Sequence, residues 1–238
     1  IKSLEFGYGY IGGNFKFNVN VYATNWGNRF VTRSLTNQQG VDGYAQFKDI
    51  DVQHNGIEFE GSWFPTSSTK VRGMLSIGDW RYSKDFTAAL FDDNQNQVGT
   101  GTLYTKGAKV GDAAQFVAYL GLDQKLGSNL SFDLDYRFVD GLYADYSITD
   151  SAFTEPGNAG ALELPSYGLV DFGATVKLGQ RLSFRANINN LFDTLYIAES
   201  NSNIHATADS TTWNGIDTRN YVWFGFGRTW NASLKYRF

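Results

Sequence analysis

The chain has 238 residues, a formal net charge of −4 from 20 basic and 24 acidic side chains, and no cysteine. It is long enough for one large β domain, has no basic stripe to suit nucleic acid, and carries no thiol for a disulfide, a nucleophile or a cysteine metal site. No run of about 18 apolar residues exists, which excludes a helical membrane span. Aromatic residues make up 16% of the chain. The mean hydropathy of −0.33 does not exclude a membrane protein, because strands that alternate apolar and polar residues cancel in the mean.

From the start, Leu4, Phe6, Tyr8 and Tyr10 alternate with Ser3, Glu5, Gly7 and Gly9, a period-two pattern that predicts a strand turning at Gly12-Gly13. A second strand places Phe15, Phe17, Val19, Val21 and Ala23 on one face. A long polar connection is expected from about Asn25 to Val52, then a third strand with Ile57, Phe59, Gly61 and Trp63 opposite His54, Glu58, Glu60 and Ser62. After the short turn Pro65-Thr66-Ser67-Ser68, Val71, Gly73, Leu75 and Ile77 mark a fourth strand.

A second long connection is expected from about Asp79 to Asp112. The fifth strand carries Phe116, Ala118, Leu120 and Leu122, turns at Gly127-Ser128, and is followed by Leu130, Phe132, Leu134, Tyr136 and Phe138 opposite Ser131, Asp133, Asp135 and Arg137. A third loop spans roughly Asp145 to Leu164. Val170, Phe172, Ala174 and Val176 give a seventh strand, Gly179-Gln180 a turn, and Leu182, Phe184, Ala186 and Ile188 an eighth. A fourth long connection runs from about Thr194 to Asn220. The chain closes on YVWFGFGRTWNASLKYRF, read as one strand from Tyr221 to Phe238, with aromatic residues near both ends of its apolar face and Arg228 as the one cation on that face.

Three regularities choose the architecture. Short and long connections alternate, so all short turns fall on one side. Charged residues sit on the polar face of every strand. The apolar faces carry almost none. A sandwich buries its apolar faces against each other and has no reason to segregate loop lengths. A transmembrane barrel has short turns at one end, long loops at the other, a lipid-facing apolar band and a polar interior. The expected fold is therefore all-β, an antiparallel transmembrane β-barrel of about nine strands, with the short-turn side and the C-terminus periplasmic. Single-chain bacterial barrels are even-stranded. The chain is thus expected to be the C-terminal part of a larger barrel, residues 1–238 lacking the first strands. With no initiator Met and no signal peptide ahead of Ile1, a removed preceding segment is expected as well.

Motifs for chemistry are sparse. Gly7 to Gly12 matches G-x-G-x-x-G by letter but lies in a strand before a hairpin, not before a helix. Asp92-Asp93-Asn94-Gln95-Asn96 begins like a calcium loop, yet Gln97 and Leu103 stand where glycine and the bidentate Glu are needed. His54 is expected to face the lumen near the top of the third strand; His205 lies in the last long loop, and neither has a second ligand nearby in sequence. No metal site and no cofactor are expected. The long loops hold more rigid aromatic residues than solvated loops need. Trp26, Trp80 and Trp213, with Arg29 and Arg81, are candidate ligand-binding residues, since aromatic anchors beside Arg suit recognition. Loop tips packed on one another as a lid would use the same residues.

Asn189-Asn190-Leu191-Phe192-Asp193 with Tyr196, a long loop, and a terminal strand ending Leu234-Lys235-Tyr236-Arg237-Phe238 resemble the C-terminal end of TonB-dependent outer-membrane receptors. The stretches Ser76 to Trp80, Val110 to Gln115 and Phe138 to Ala144 resemble the branch common in Bacteroidetes. The resemblance implies a barrel of 22 strands with a plugged lumen, of which this chain supplies the last nine or so. It implies an N-terminal plug and barrel portion absent from this chain, a TonB energy-coupling complex as partner, outer-membrane lipid around the wall, and room for a surface lipoprotein over the long loops. By position, Leu234, Tyr236 and Phe238 match the family's barrel-assembly signal. The implied function is active import of a scarce nutrient such as a siderophore, vitamin, glycan or peptide, and not enzymatic. A passive porin or adhesion barrel, or an outer-membrane hydrolase using His54, are the alternatives.

Overall fold

The computed structural model describes residues 1–36, 42–145 and 153–238. Four hairpins with short turns and one final strand make the wall. These are β1 (Lys2–Gly12) and β2 (Phe15–Thr36), β3 (Asp42–Thr66) and β4 (Thr69–Tyr82), then, after an outer hairpin of β5 (Phe86–Asp92) and β6 (Gln97–Leu103), β7 (Phe116–Leu126) and β8 (Leu130–Asp140). β9 (Tyr167–Leu178) and β10 (Leu182–Asn189) follow, and the last loop carries β11 (Ile197–Ser200), β12 (Thr212–Trp213), β13 (Ile216–Asp217) and β14 (Val222–Phe224) before β15 (Thr229–Tyr236). The sheet runs β1-β2-β3-β4-β7-β8-β9-β10-β15, every neighbour antiparallel. That path holds the nine expected strands. Among the described residues β1 and β15 do not pair with each other, so the sheet is open.

Register carries apolar rows straight across the wall. Tyr8, Val19, Phe59, Leu75, Ala118 and Phe138 lie opposite one another in turn, as do Val71, Leu122, Leu134, Phe172, Ile188 and Trp230. These faces are uncovered: Leu120 is 58% exposed, Leu134 40% and Trp230 79%. A continuous exposed apolar face of this size suits only a nonpolar surround. The opposite face is cross-braced. Arg72 on β4 donates to Asp123 on β7 at 2.9 and 3.0 Å and to Asp135 on β8 at 2.8 Å, and Tyr119 donates to Asp135 at 2.6 Å. Arg185 on β10 reaches over β9 to both oxygens of Asp133, at 2.8 and 3.0 Å. Asp123 and Asp133 stand directly opposite each other, a repulsive pairing that these two arginines offset.

The structure corrects the sequence reading at the ends of the strands. Of the residues expected to form a polar connection from Asn25 to Val52, 25–36 and 42–52 instead prolong β2 and β3 well above the wall, past bulges where Asn28 and Asp49 adopt positive φ, and 37–41 lie outside the described residues. The connection from Asp79 to Asp112 contains the β5–β6 hairpin, and β5 pairs with the upper part of β3. Period two fails as a signal there because bulges shift the register at Trp26, Arg29 and Val31, and the residues that the upper strands bury, Ala45, Phe47, Ile50 and Val52, come from β3 while upper β2 stays largely exposed. Part of the third expected loop, residues 146–152, lies outside the described residues. The final eighteen residues form two strands, not one: β14 pairs with β11, and β15 with β10. Between them the Arg228 N–H leaves the ladder and donates to Asp193 Oδ1 at 2.7 Å, and the Tyr196 ring occupies the space a side chain at Gly225 would need.

The core sits above the wall. One cluster gathers Phe47, Ile50, Val52, Phe86, Leu103 and Phe153 from β3, β5, β6 and the loop before β9. A second gathers Leu142, Ala144, Leu162, Leu164, Ile197 and Ile216. The loops thus form a packed cap.

Candidate functional site

The outer edge of the apolar band is visible on β3 and β4, where Ile57 and Ile77 give way one step higher to Asn55 and Asp79. Immediately above this edge, on the polar face, an aromatic group is assembled by register alone. His54 lies opposite both Thr24 and Trp80. Its ring stacks on the Trp80 indole at 4.9 Å between centroids and 21° between planes, and the Trp26 ring stands 6.3 Å away on its other neighbour strand. The Trp80 Nε1–H donates to the Tyr22 hydroxyl at 3.0 Å. Tyr22 in turn occupies the space above Gly56, where a Cβ would collide with it. Burial, followed by the nearby Arg29 guanidinium, holds the His54 pKa below its ordinary value, so the ring is neutral. His54 Nε2 is buried without a hydrogen-bond partner among the described residues. With its ring on Trp80 and near Trp26, the group presents a stacked aromatic surface.

A polar frame fixes Trp80. The Gln115 side chain, on the approach to β7, imitates a strand partner: its Oε1 accepts from the Trp80 N–H at 3.1 Å and its amide donates to the Trp80 carbonyl at 3.0 Å. Lys109 Nζ donates to the same Gln115 oxygen at 3.0 Å and to Asp79 at 2.7 Å, and Arg81 donates to Asp79 at 2.6 Å. The two cations hold the Asp79 carboxyl below the usual carboxylate range, with Lys109 the larger cause. Next to this frame lies a cavity of about 490 Å³ lined by Lys109, Tyr143, Gly160, Glu163 and His205 among others. Burial and then Glu163 push the Tyr143 phenol up, and His205 Nε2 donates to the Gly160 carbonyl at 3.0 Å.

The five candidate ligand residues are therefore not one constellation. Trp26 and Trp80 are brought together around His54, with Arg29 beside them on the bulged part of β2. Arg81 shares the parity of Ile77 and Asp79, so it points away from the face that Trp80 occupies. Trp213 packs against the second loop core and edge-on against Phe224 at 5.3 Å. Tyr22, Gln115 and Lys109 were missed as members of the site. A Tyr directly opposite Gly56, itself paired with Gly78, was the available signal for the first. The other two sit in a loop whose return onto β4 has no local pattern.

The NLFD segment is a clamp. Asn190, at φ 51°, donates through its side chain to the Thr194 and Phe226 carbonyls at 2.9 and 3.3 Å and accepts the Thr194 N–H at 2.8 Å, while its own N–H goes to Asp171 at 2.8 Å. Asp193 captures Arg228 as described. The motif thus ties the top of β10 to the break between β14 and β15. Leu234 and Tyr236 lie on the exposed apolar face of β15, with Phe238 just beyond its end, 5.2 Å from the Tyr236 ring.

Comparison with known proteins gives a consistent answer. Residues 1–191 match the family model described as TonB dependent receptor-like, beta-barrel. The ferrioxamine B receptor of Salmonella typhimurium strain SL1344 is 27% identical over 197 residues, covering 80% of this chain and 23% of that protein. Among solved structures, the siderophore receptor PiuA from Acinetobacter baumannii superposes with a TM-score of 0.62 at 16% identity, over 98% of this chain and 28% of that one. The FrpB iron transporter from Neisseria meningitidis gives 0.60 at 16% identity, over 99% and 31%. The chain spans about a quarter to a third of the length of the relatives it matches.

Proposed function

The chain belongs to the TonB-dependent receptor-like β-barrel family, and from that premise we propose that it is the C-terminal wall of an active importer, with residues 1–238 joined in the whole protein to a plug and the remaining strands. Members of this family are outer-membrane transport receptors, not enzymes. The observation that carries the reading is the open nine-strand sheet, apolar outside and ion-paired inside, under a cap built entirely at its long-loop end. An open sheet with two unpaired edges closes only with further strands. In this reading the short turns and the C-terminus face the periplasm, Leu234, Tyr236 and Phe238 serve as the assembly signal, and TonB acts through the plug. A surface lipoprotein would have the cap to rest on.

The cargo is a scarce nutrient, and a ferric chelate is the first class to test, given the iron receptors among the relatives. Trp26 and Trp80 offer it flat faces at the mouth, with Arg29 alongside; Arg81 and Trp213 support the loops that frame them. The test is uptake of a panel of labelled iron chelates by cells carrying the full-length protein. Saturable accumulation that stops when a protonophore collapses the proton-motive force is the expected result. Accumulation that neither saturates nor responds to the protonophore would make the protein a passive porin.

A further inference from the structure

Above the apolar band, the outward face of the wall leads into a cavity. Arg81 on β4 stands four residues above Ile77 in unbroken register, on the same outward face. Lys109 lies directly opposite Arg81, and Tyr143 directly opposite Glu163. The Asp112 N–H donates to the Tyr143 carbonyl at 3.0 Å and joins the two pairs. Residues opposite one another across a ladder share a face, so Lys109 faces outward with Arg81. Its ammonium stands over the Tyr143 ring, 5.8 Å from the centroid. Leu142, Ala144, Leu162 and Leu164, which alternate with Tyr143 and Glu163, pack with Tyr167 into the second core on the other face. Lys109, Tyr143 and Glu163 are therefore outward residues, and with Ala159, Gly160 and His205 they line the cavity of about 490 Å³.

The cavity walls are fixed from behind. Asn158 accepts the Gly160 N–H at 2.9 Å and donates to the Tyr104 carbonyl at 2.9 Å. The buried Asn203 accepts the Leu162 N–H and donates to the Asp145 carbonyl, both at 2.8 Å. With His205 holding the Gly160 carbonyl, the rim is set before a ligand arrives, which lowers the ordering cost of binding. The volume falls among small-ligand sites, about 300–1,000 Å³. Its charge balance favours neither an anion nor a cation: Arg81 and Lys109 stand against Asp79 and Glu163, and Asp79 is bonded to both cations. What remains is the Glu163 carboxylate, the third proton of the Lys109 ammonium, whose other two go to Asp79 and Gln115, and a phenol ring beside small residues. Donors and acceptors next to an aromatic ring match a ligand rich in hydroxyls with a flat C–H face, which is a neutral sugar. Four residues at ~3.3 Å each on a tilted strand raise the cavity about 10 Å above the apolar edge. That lies just outside a phospholipid headgroup layer of roughly 5–8 Å, at the height of a saccharide carried on a lipid. We propose that this outward cavity binds a neutral sugar residue presented by the saccharide of a glycolipid in the outer leaflet. The inference rests on the membrane orientation in the reading above and not on its cargo.

The experiment measures backbone hydrogen exchange of the full-length receptor in phosphatidylethanolamine bilayers with and without lipopolysaccharide. Lipopolysaccharide is expected to slow exchange at residues 107–110 and 159–163 on the order of tenfold, the protection given when a ligand exceeds its Kd about tenfold. Exchange in β5 and β6 should stay unchanged. Ala159→Trp fills the cavity from an exposed position and should remove the protection. Glu163→Gln keeps the size of the side chain and loses the carboxylate; it should weaken the protection, and it reads the site if the Trp variant does not assemble. The saccharide released from the same lipid by mild acid should protect the same residues at higher concentration. Absence of protection, protection that survives in both variants, or equal protection by phosphatidylglycerol bilayers would overturn the proposal. Protection by the released saccharide with none from the bilayer would overturn the lipid source. Chelate uptake by Ala159→Trp is expected to match wild type, so losing the sugar site leaves the importer reading standing, whereas wild-type cells that accumulate no chelate count against that reading alone.

Discussion

The wall and the cap are built from the same kind of strand with opposite solvent logic. In the wall, apolar side chains such as Leu120 and Trp230 face out and the ordered contacts are the ion pairs of Arg72 and Arg185 on the other face. In the cap, Phe47 and Phe153 are 1% exposed and Leu164 2%, and the Asp217 carboxylate is buried against Arg219. The wall is therefore stabilised by its surround and by backbone ladders, the cap by its own small cores. Two regions joined by continuous strands, β2 and β3 above all, can then differ in stability.

The largest test of this division is Phe47→Ala. Removing a ring buried against Phe86 at 5.7 Å should cost the cap about 3–5 kcal/mol. Hydrogen exchange should rise in β5 and β6 while β7 to β10 stay protected; equal loss in both would erase the distinction. On the wall, Leu134→Arg places a cation on the outward face in mid-band, expected to cost roughly 2–4 kcal/mol in refolding of the full-length protein into bilayers, with cap exchange unchanged. A smaller effect is expected from Arg185→Ala, which leaves Asp133 opposite Asp123 without its partner. About 1–3 kcal/mol is expected, toward the low end because both groups are partly exposed, and adding Asp133→Ala should recover part of it.

The smallest effect is a pH dependence confined to the cap. Desolvation, then the Asp145 and Glu199 carboxylates, push Asp112 up to about 6 from 3.8. The closed cap therefore holds more protons than the open one between those values, so closure is favoured at acid pH and loses that contribution as pH rises through 6. Exchange in β11, which carries Glu199, should slow as pH is lowered from about 7 to about 5 after correction for intrinsic rates, and Asp112→Asn should abolish the change.

The wall was legible in the sequence because period two, turn glycines and segregated charges all act locally: the nine strands, their faces and the Gly127-Ser128 and Gly179-Gln180 turns follow from residues a few positions apart. The cap was not. Phe47, Phe86 and Phe153 come from three separate segments, and no pattern within any one of them says that they meet. The same limit applies to the site. Trp26 and Trp80 stood out as aromatic anchors, but their convergence on His54 depends on register between β2, β3 and β4, and the exclusion of Trp213 depends on packing of the last loop. The final segment failed as a single strand because its Gly225 to Arg228 interruption is imposed by Asp193 and Tyr196, residues some thirty positions earlier.

By itself, the sequence determined that this is an all-β chain with an apolar outward face, a charged inner face, and loops of two lengths on two sides. These properties arise from alternation along one strand, where neighbours in sequence are neighbours in space. Only the tertiary structure decided that the long loops fold into a cap with cores of their own, that an aromatic stack stands at its mouth, and that Arg72 and Arg185 reach across neighbouring strands to Asp123, Asp135 and Asp133. Each of those results from juxtaposing distant segments, and such distances are set by register and packing, which no local pattern contains.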